Sequence, residues 1–309
     1  MRVLVSGVTG AIGGELAPLL LADGHEVRGL SRREAPAQGL GRAGQIEMVT
    51  GDAVSGVGLR QALRGVDVAY YLIHSMEPEA GPRFRQLEQM AARNFARAAL
   101  RGGVRRIVYL GGPVPDSGTA SDHLRSRLTV EQTLLEAVPG SVALRASIVI
   151  GARSRSFRFL VRLVERLPVL VIPAWREYRT APVDERDVLA CLVRAASAGS
   201  VAGRSLDVAG PDTVTYGELI ERIRDLLMLD RPVFNLPALT MTPIASRVSA
   251  LVAGEQHALI GPLMEGLKGD LLAREPLATE LLDVRRHSLD SAIERALREW
   301  ERTEPLRAR

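Results

Sequence analysis

Three glycines constrain the start of this chain more than any other feature. Gly7-Val8-Thr9-Gly10-Ala11-Ile12-Gly13 directly follows the apolar run Val3-Leu4-Val5 and opens a stretch, Ile12–Ala22, with helical patterning. Glycine at the first position permits a tight turn, at the second a close approach of backbone to a ligand, and at the third close packing of helix on strand. The N–H groups at the helix N-terminus then face an anion such as a pyrophosphate. Alone, the spacing G-x-x-G-x-x-G is a weak signal; between a strand and a helix it has the context that the motif requires. A glycine turn with no ligand is the other reading.

The pattern that follows supports a βαβ architecture. Strand-like runs at Arg2–Ser6, Glu26–Leu30, Ile46–Thr50, Val66–Ile73, Arg106–Leu110 and Val142–Ile148 alternate with helix-like stretches at Ile12–Ala22, Leu59–Arg64, Arg83–Arg101 and Ser121–Ala137. Alternation of this kind predicts a parallel sheet. Val66–Ile73 is nearly continuously hydrophobic, as strands covered on both faces are. After residue 150 the pattern loosens: a helix at Ser156–Arg166, strands at Val169–Ile172 and Arg179–Val183, a helix at Glu185–Ala198, a strand at Ser205–Val208 and an amphipathic helix at Thr215–Met228. The expected fold is α/β, a doubly wound parallel sheet with a smaller C-terminal substrate lobe. Residues 1–155, rejoined by 179–212, form the first domain; 156–178 and 213–309 form the lobe.

Two positions bear on which nucleotide the glycine loop holds. An acid at the end of the second strand binds a ribose 2′-hydroxyl, whereas an arginine there accommodates a 2′-phosphate. This chain reads Leu30-Ser31-Arg32-Arg33, with no acid before Glu34. Arg32 is therefore expected on the 2′-phosphate, Arg33 beside it and Ser31 as a hydrogen-bonding partner, which favours NADP(H) over NAD; a solvated arginine pair is the alternative. Gly51-Asp52 follows the third strand, where a carboxylate can accept from the adenine amino group or simply make a turn.

These residues, with Tyr70-Tyr71-Leu72-Ile73-His74-Ser75-Met76, Ala92-Arg93-Asn94-Phe95, Arg106-Ile107-Val108-Tyr109-Leu110-Gly111-Gly112, Leu144-Arg145-Ala146-Ser147-Ile148-Val149-Ile150-Gly151, Pro182–Val188 and Gly210-Pro211-Asp212, resemble the atypical, extended-like branch of the short-chain dehydrogenase/reductase superfamily. That branch includes NAD(P)H-binding proteins related to the accessory Rossmann subunit of respiratory complex I, with nitrogen-regulatory redox sensors as more distant cousins. The resemblance implies a Rossmann-type fold. It also adds Leu72, Ile73, His74, Gly111, Gly112 and Ser147 to the cofactor contacts expected of Gly7, Thr9, Gly10, Ala11, Ile12, Gly13, Gly51 and Asp52.

The resemblance breaks where the superfamily carries its chemistry. Active reductases use a Ser after the fifth strand and a Tyr-x-x-x-Lys on the next helix; here the strand ends in Leu110-Gly111-Gly112, and His123 and Arg127 stand at the Tyr and Lys spacing. The chain's single lysine is Lys268, preceded four residues earlier by Met264, so no shifted motif exists. Imidazole suits acid–base work near neutral pH, and Arg127 shares the helix face of His123. These two are the candidate catalytic residues; a solvated helix face is the alternative. Two functions stay open: an NADP(H)-dependent oxidoreductase on a small carbonyl-type substrate, and a non-catalytic NADP(H)-binding sensor or assembly module.

Composition narrows the partners. The 40 basic and 36 acidic residues leave a formal charge of +4, aromatics are 4%, and basic residues are scattered among acidic ones, so no nucleic-acid surface is expected. Arg153, Arg155, Arg158, Trp175 and Arg179 can form a cationic pocket for an acidic ligand, or the first three can be a solvated helix N-terminus. No apolar run approaches a membrane span, no metal site is expected, and the apolar stretch Leu236–Leu267 reads as packing onto the Rossmann lobe or into a homodimer interface rather than onto a membrane surface. The lone Cys191 lies on an apolar helix face and reads as a buried structural thiol in a reducing, cytoplasmic compartment.

Overall fold

The computed structural model describes residues 1–33, 45–73, 84–114, 122–172, 174–235 and 269–306, with side chains at all of these but 122, 123, 171, 172, 174, 234 and 235. The apolar stretch Leu236–Leu267 lies outside the described residues. The chain runs β1 (Arg2–Ser6), α1 (Ala11–Ala22), β2 (Glu26–Ser31), β3 (Glu47–Thr50), α2 (Leu59–Ala62), β4 (Val68–Tyr71), α3 (Phe84–Gly102), β5 (Arg106–Gly111), α4 (Asp122–Ala137) and β6 (Val142–Ala146). There follow β7 (Val149–Ile150), α5 (Arg155–Arg166), β8 (Leu170–Ile172), β9 (Arg179–Thr180), β10 (Val183–Asp184), α6 (Glu185–Ala195), β11 (Arg204–Val208), β12 (Val214–Thr215), α7 (Tyr216–Leu226), β13 (Val233–Asn235), α8 (Ala278–Leu281) and α9 (Leu289–Glu301).

Seven strands form one sheet in the order β3-β2-β1-β4-β5-β6-β11, and every neighbouring pair is parallel. From β1 the chain steps outward to β3, then returns to β4 and builds the other half, so the winding reverses between β1 and β4. A doubly wound sheet binds its ligand at that reversal, beyond the C-terminal strand ends.

Strand alternation sets the layers. Val3 and Val5 of β1 enter the core beneath α1 and α6, whereas Leu4 enters the core beneath α3 and α4. Val68 and Tyr70 of β4, and Val108 and Leu110 of β5, join the first core; Ala69, Tyr71, Ile107 and Tyr109 join the second. Both parities are apolar because both faces are covered, which explains the unbroken hydrophobic reading of Val66–Ile73. The strand itself is shorter, since the Val66 N–H closes a turn onto the Leu63 carbonyl at 3.3 Å.

A separate core gathers α5, α7 and α9 around Phe157, Val161, Leu219, Ile220, Ile293 and Trp300. Trp300 is fully buried, with the guanidinium carbons of Arg158 and Arg162 at 4.2 and 4.7 Å from its ring centroid. This is the smaller lobe. One stretch departs from the expected division of the chain: Ala278 and Leu282 pack into the core of the large sheet.

One local detail differs from the sequence expectations. Arg179–Val183 is two short strands in different sheets, β9 paired with β12 and β10 with β7, interrupted by Ala181-Pro182, where proline lacks a donor. The cap of α6 is Asp184, which accepts the Arg186 N–H at 2.8 Å, while Asp187 accepts the His287 N–H at 2.9 Å. Arg145, in β6, has a bidentate partner in Glu131 of α4, at 2.9 and 2.6 Å. Cys191 is wholly buried, and burial pushes its thiol up to about 12, as befits a packing residue.

Candidate functional site

The glycine loop occupies the turn between β1 and α1. Gly7 has φ +71°, and a Cβ on it would stand 2.9 Å from the Leu72 carbonyl oxygen. A Cβ on Gly13 would stand 2.3 Å from the Gly7 oxygen, so only glycine lets α1 approach β1 this closely. Gly10 caps α1 without a side-chain hydrogen bond, leaving the first-turn N–H groups for an anion. Gly13→Ala is expected to cost about 1–3 kcal/mol from overpacking and to abolish nucleotide binding, read by urea unfolding and by fluorescence titration.

Two further strand ends supply the adenosine side of the site. Ser31 ends β2, its hydroxyl 3.4 Å from the Arg33 N–H, and Arg32 and Arg33 are exposed. Gly51 donates to the Ser31 carbonyl at 2.9 Å, joining the ends of β2 and β3. The Asp52 carboxylate accepts the Val54 and Ser55 N–H groups at 3.0 and 3.2 Å, making the turn that was the alternative reading of this residue. From α3, Asn94 donates to the carbonyls of Ala53 and Val54 at 3.1 and 2.8 Å and pins that turn.

These segments enclose a cleft of about 600 Å³ above the reversal between β1 and β4. Of the expected cofactor contacts, Gly7, Thr9, Gly10, Ala11, Ile12, Gly13, Ser31, Arg32, Gly51, Asp52, Leu72 and Ile73 line it. Arg33, Gly111, Gly112 and Ser147 do not, and His74 lies outside the described residues. Sequence reasoning missed the apolar Leu30, Ala53, Val54 and Leu110, which carry no chemical signature, and gave Arg153 and Arg155 no place among the cofactor contacts. Of the postulated acid-binding set, Arg158 pairs with Glu304 at 2.7 Å and Arg179 with Asp270 at 2.7 Å, and Trp175 is buried. A second hollow, about 670 Å³, lies between the outer faces of α1 and α6; it is remote from the strand ends where such folds place ligands.

Of the two candidate catalytic side chains the structure describes one, Arg127. His123 is the second residue of α4, and its side chain lies outside the described residues. Arg127 turns away from the cleft into the α3–α4 interface, where its Nε is 3.8 Å from Glu88 Oε1. The other Glu88 oxygen accepts the Ser126 hydroxyl at 2.6 Å. Tyr70, Tyr71 and Tyr109 are buried, and burial raises their phenols above the ordinary range. Gly111 stands near the superfamily's serine position, and a Cβ there would meet the Tyr109 ring at 2.8 Å. Ser147 shares a hydrogen bond with Thr180, oxygen to oxygen 3.1 Å.

A family model described as NAD(P)H-binding matches residues 7–136. A (4-alkanoyl-5-oxo-2,5-dihydrofuran-3-yl)methyl phosphate reductase of Streptomyces griseus is 30% identical over 231 residues, 73% of this chain and 73% of that one. The mitochondrial NADH dehydrogenase (ubiquinone) 1 alpha subcomplex subunit 9 of Arabidopsis thaliana is 24% identical over 229 residues, covering 72% of this chain and 57% of that protein. Among solved structures, a UDP-glucuronic acid 4-epimerase from Bacillus cereus, in complex with UDP-glucuronic acid and NAD, superposes with a TM-score of 0.73. The match covers 98% of this chain and all of that one at 17% identity, a likeness of fold. Among the described residues no helix is long and apolar enough to cross a membrane.

Proposed function

The chain belongs to the NAD(P)H-binding, atypical branch of the short-chain dehydrogenase/reductase superfamily, and on that premise we propose that it is an NADP(H)-dependent oxidoreductase acting on a small carbonyl compound. The observation that carries the reading is the charge at the end of β2. Arg32 lines the cleft beside Ser31, and the one carboxylate in the same lining on that side, Asp52, is committed to its own turn. An arginine so placed suits a 2′-phosphate, and among the described residues of the lining no other acid stands there for a ribose 2′-hydroxyl. The glycine cradle, which any Cβ at Gly13 would fill, and the bare N-terminus of α1 fit a diphosphate.

Residues 1–155 and 179–212 hold the nucleotide in this reading, and the smaller lobe supplies the wall against which a substrate lies. When bound, the dihydronicotinamide supplies a hydride to the carbonyl carbon. His123, or a water in the cleft, would give the carbonyl oxygen its proton, since the tyrosines of β4 and β5 are buried phenols with raised pKa. A second reading, a nucleotide-binding module without turnover, draws on Gly111: the Tyr109 ring fills the space a serine side chain would need.

Titration with NADPH and NADH, followed by NADPH oxidation against a panel of carbonyl compounds, tests the proposal. NADPH is expected to bind more tightly than NADH. Arg32→Ala is expected to weaken NADPH by about 10- to 100-fold, the worth of one or two hydrogen bonds to a charged group, and to leave NADH unchanged. Tight NADPH binding with no oxidation favours the module; binding of neither nucleotide ends the cofactor reading.

A further inference from the structure

Two arginines at the passage from the large sheet into the smaller lobe also line the cleft. Arg153, in the loop after β7, and Arg155, the first residue of α5, both line the cleft with Gly10–Gly13. Arg153 reaches across to α1, where its Nη1 is 3.3 Å from Glu15 Oε1, and both side chains are about half exposed. That contact fixes the loop over the first turns of α1, where the N–H groups open.

The local electrostatics of α5 run against an arginine at this place. A helix N-terminus carries partial positive charge and favours an acid in its first turn. The first turn of α5 has none, and it begins with Arg155 behind the Ser154 cap. The guanidinium of Arg155 has no ion-pair partner among the described residues. Two arginines and two helix N-termini therefore converge on one cleft, and Glu15 answers Arg153 but not Arg155. Arg32 stands apart from them, at the end of β2.

We infer that Arg153 and Arg155 hold the diphosphate of the bound dinucleotide from the side opposite the glycine loop, so that the nucleotide ties the smaller lobe to the large sheet. The inference rests on the dinucleotide reading of the cleft. It divides the phosphates by chemistry: the 2′-phosphate belongs to Arg32, and the diphosphate, common to NADPH and NADH, belongs to Arg153 and Arg155. Glu15 then competes with the diphosphate for Arg153.

Fluorescence titrations of NADPH and NADH with the wild type, Arg153→Ala, Arg155→Ala and Glu15→Gln test this. Each arginine variant is expected to weaken both nucleotides by about tenfold, keeping the NADPH-to-NADH ratio, as loss of one charge-assisted contact does. Glu15→Gln is expected to tighten both. These side chains are largely solvent-exposed, so the nucleotide-free variants should melt with the wild type, and a lost fold does not explain lost binding. Unchanged affinity in both arginine variants, beside a wild type that binds normally, overturns the inference and leaves the cofactor reading intact. A loss confined to NADPH overturns it too, by moving the arginines to the 2′-phosphate. A wild type that binds neither nucleotide defeats the cofactor reading itself.

Discussion

Glu88→Ala is expected to lower the unfolding free energy by about 3–5 kcal/mol, the cost of removing one member of a buried ion pair. Glu88 and Arg127 are both buried between α3 and α4, 3.8 Å apart, and the surroundings of the pair include Tyr71 and Tyr109, themselves buried. Without the carboxylate, Arg127 keeps its charge, because a guanidinium is not deprotonated in proteins. The Ser126 hydroxyl loses its acceptor in the same change. Replacing both members, as Glu88→Leu with Arg127→Met, removes the charges together and is expected to cost far less than Glu88→Ala alone. Urea denaturation of the single and double variants measures both. A loss under 1 kcal/mol for Glu88→Ala would mean that water reaches the pair. The same variants bear on mechanism: Arg127→Met should leave NADPH affinity unchanged, because Arg127 does not line the cleft.

That pair shows where the sequence stops being legible. His123 and Arg127 share a helix face by spacing, but spacing does not say what the face meets. Arg127 meets α3, and its partner Glu88 lies 39 positions earlier, inside a helix whose docking no local rule supplies. Arg145 is similar in kind: a charge in a parallel strand announces that it needs a partner, without naming Glu131. The start of α6 is of the same kind, since Asp184 and Asp187 are both acids at a helix start and only the end of β10 decides which of them caps it.

The glycine loop and the end of β2 were legible for the opposite reason. Their geometry is set within a few residues, by a turn that excludes Cβ atoms at Gly7 and Gly13 and by a strand that ends at Ser31. The parallel sheet was legible from apolar residues at both strand parities. Arg153 and Arg155 were not placed, because they reach the cleft only through the pairing of β7 with β10, a contact between residues more than thirty apart in sequence. One signal was available: arginine in the first turn of a helix with no acid there.

The protein is expected to lose stability as pH rises from about 4.5 to about 7, through Glu185. Its carboxyl is buried behind the start of α6, and burial raises its pKa to about 7 from an ordinary 4.5; Arg295 opposes the rise, and Glu15 and Glu299 add to it. Oε1 has no hydrogen-bond partner among the described residues, and the backbone of Gly151 packs so close that a Cβ there would stand 2.6 Å from the carboxyl carbon. An acid whose pKa is higher in the folded state binds its proton more tightly there than in the unfolded chain. Between the two values the native state holds more protons, so stability falls with rising pH. The fall is complete above about pH 7 and amounts to roughly 3 kcal/mol. Glu185→Gln keeps the shape and removes the charge, and Arg295 retains Glu299 at 2.6 Å and Asp184 at 3.5 Å. The variant should match the wild type at pH 4 and exceed it by about 3 kcal/mol at pH 8. Asp184, whose arginine contacts hold its carboxyl below the ordinary range, gives an opposite slope at lower pH. That slope is common to both proteins, so the difference between them isolates Glu185. Parallel stability curves from pH 4 to pH 8 would show that the Glu185 charge is accommodated where it lies.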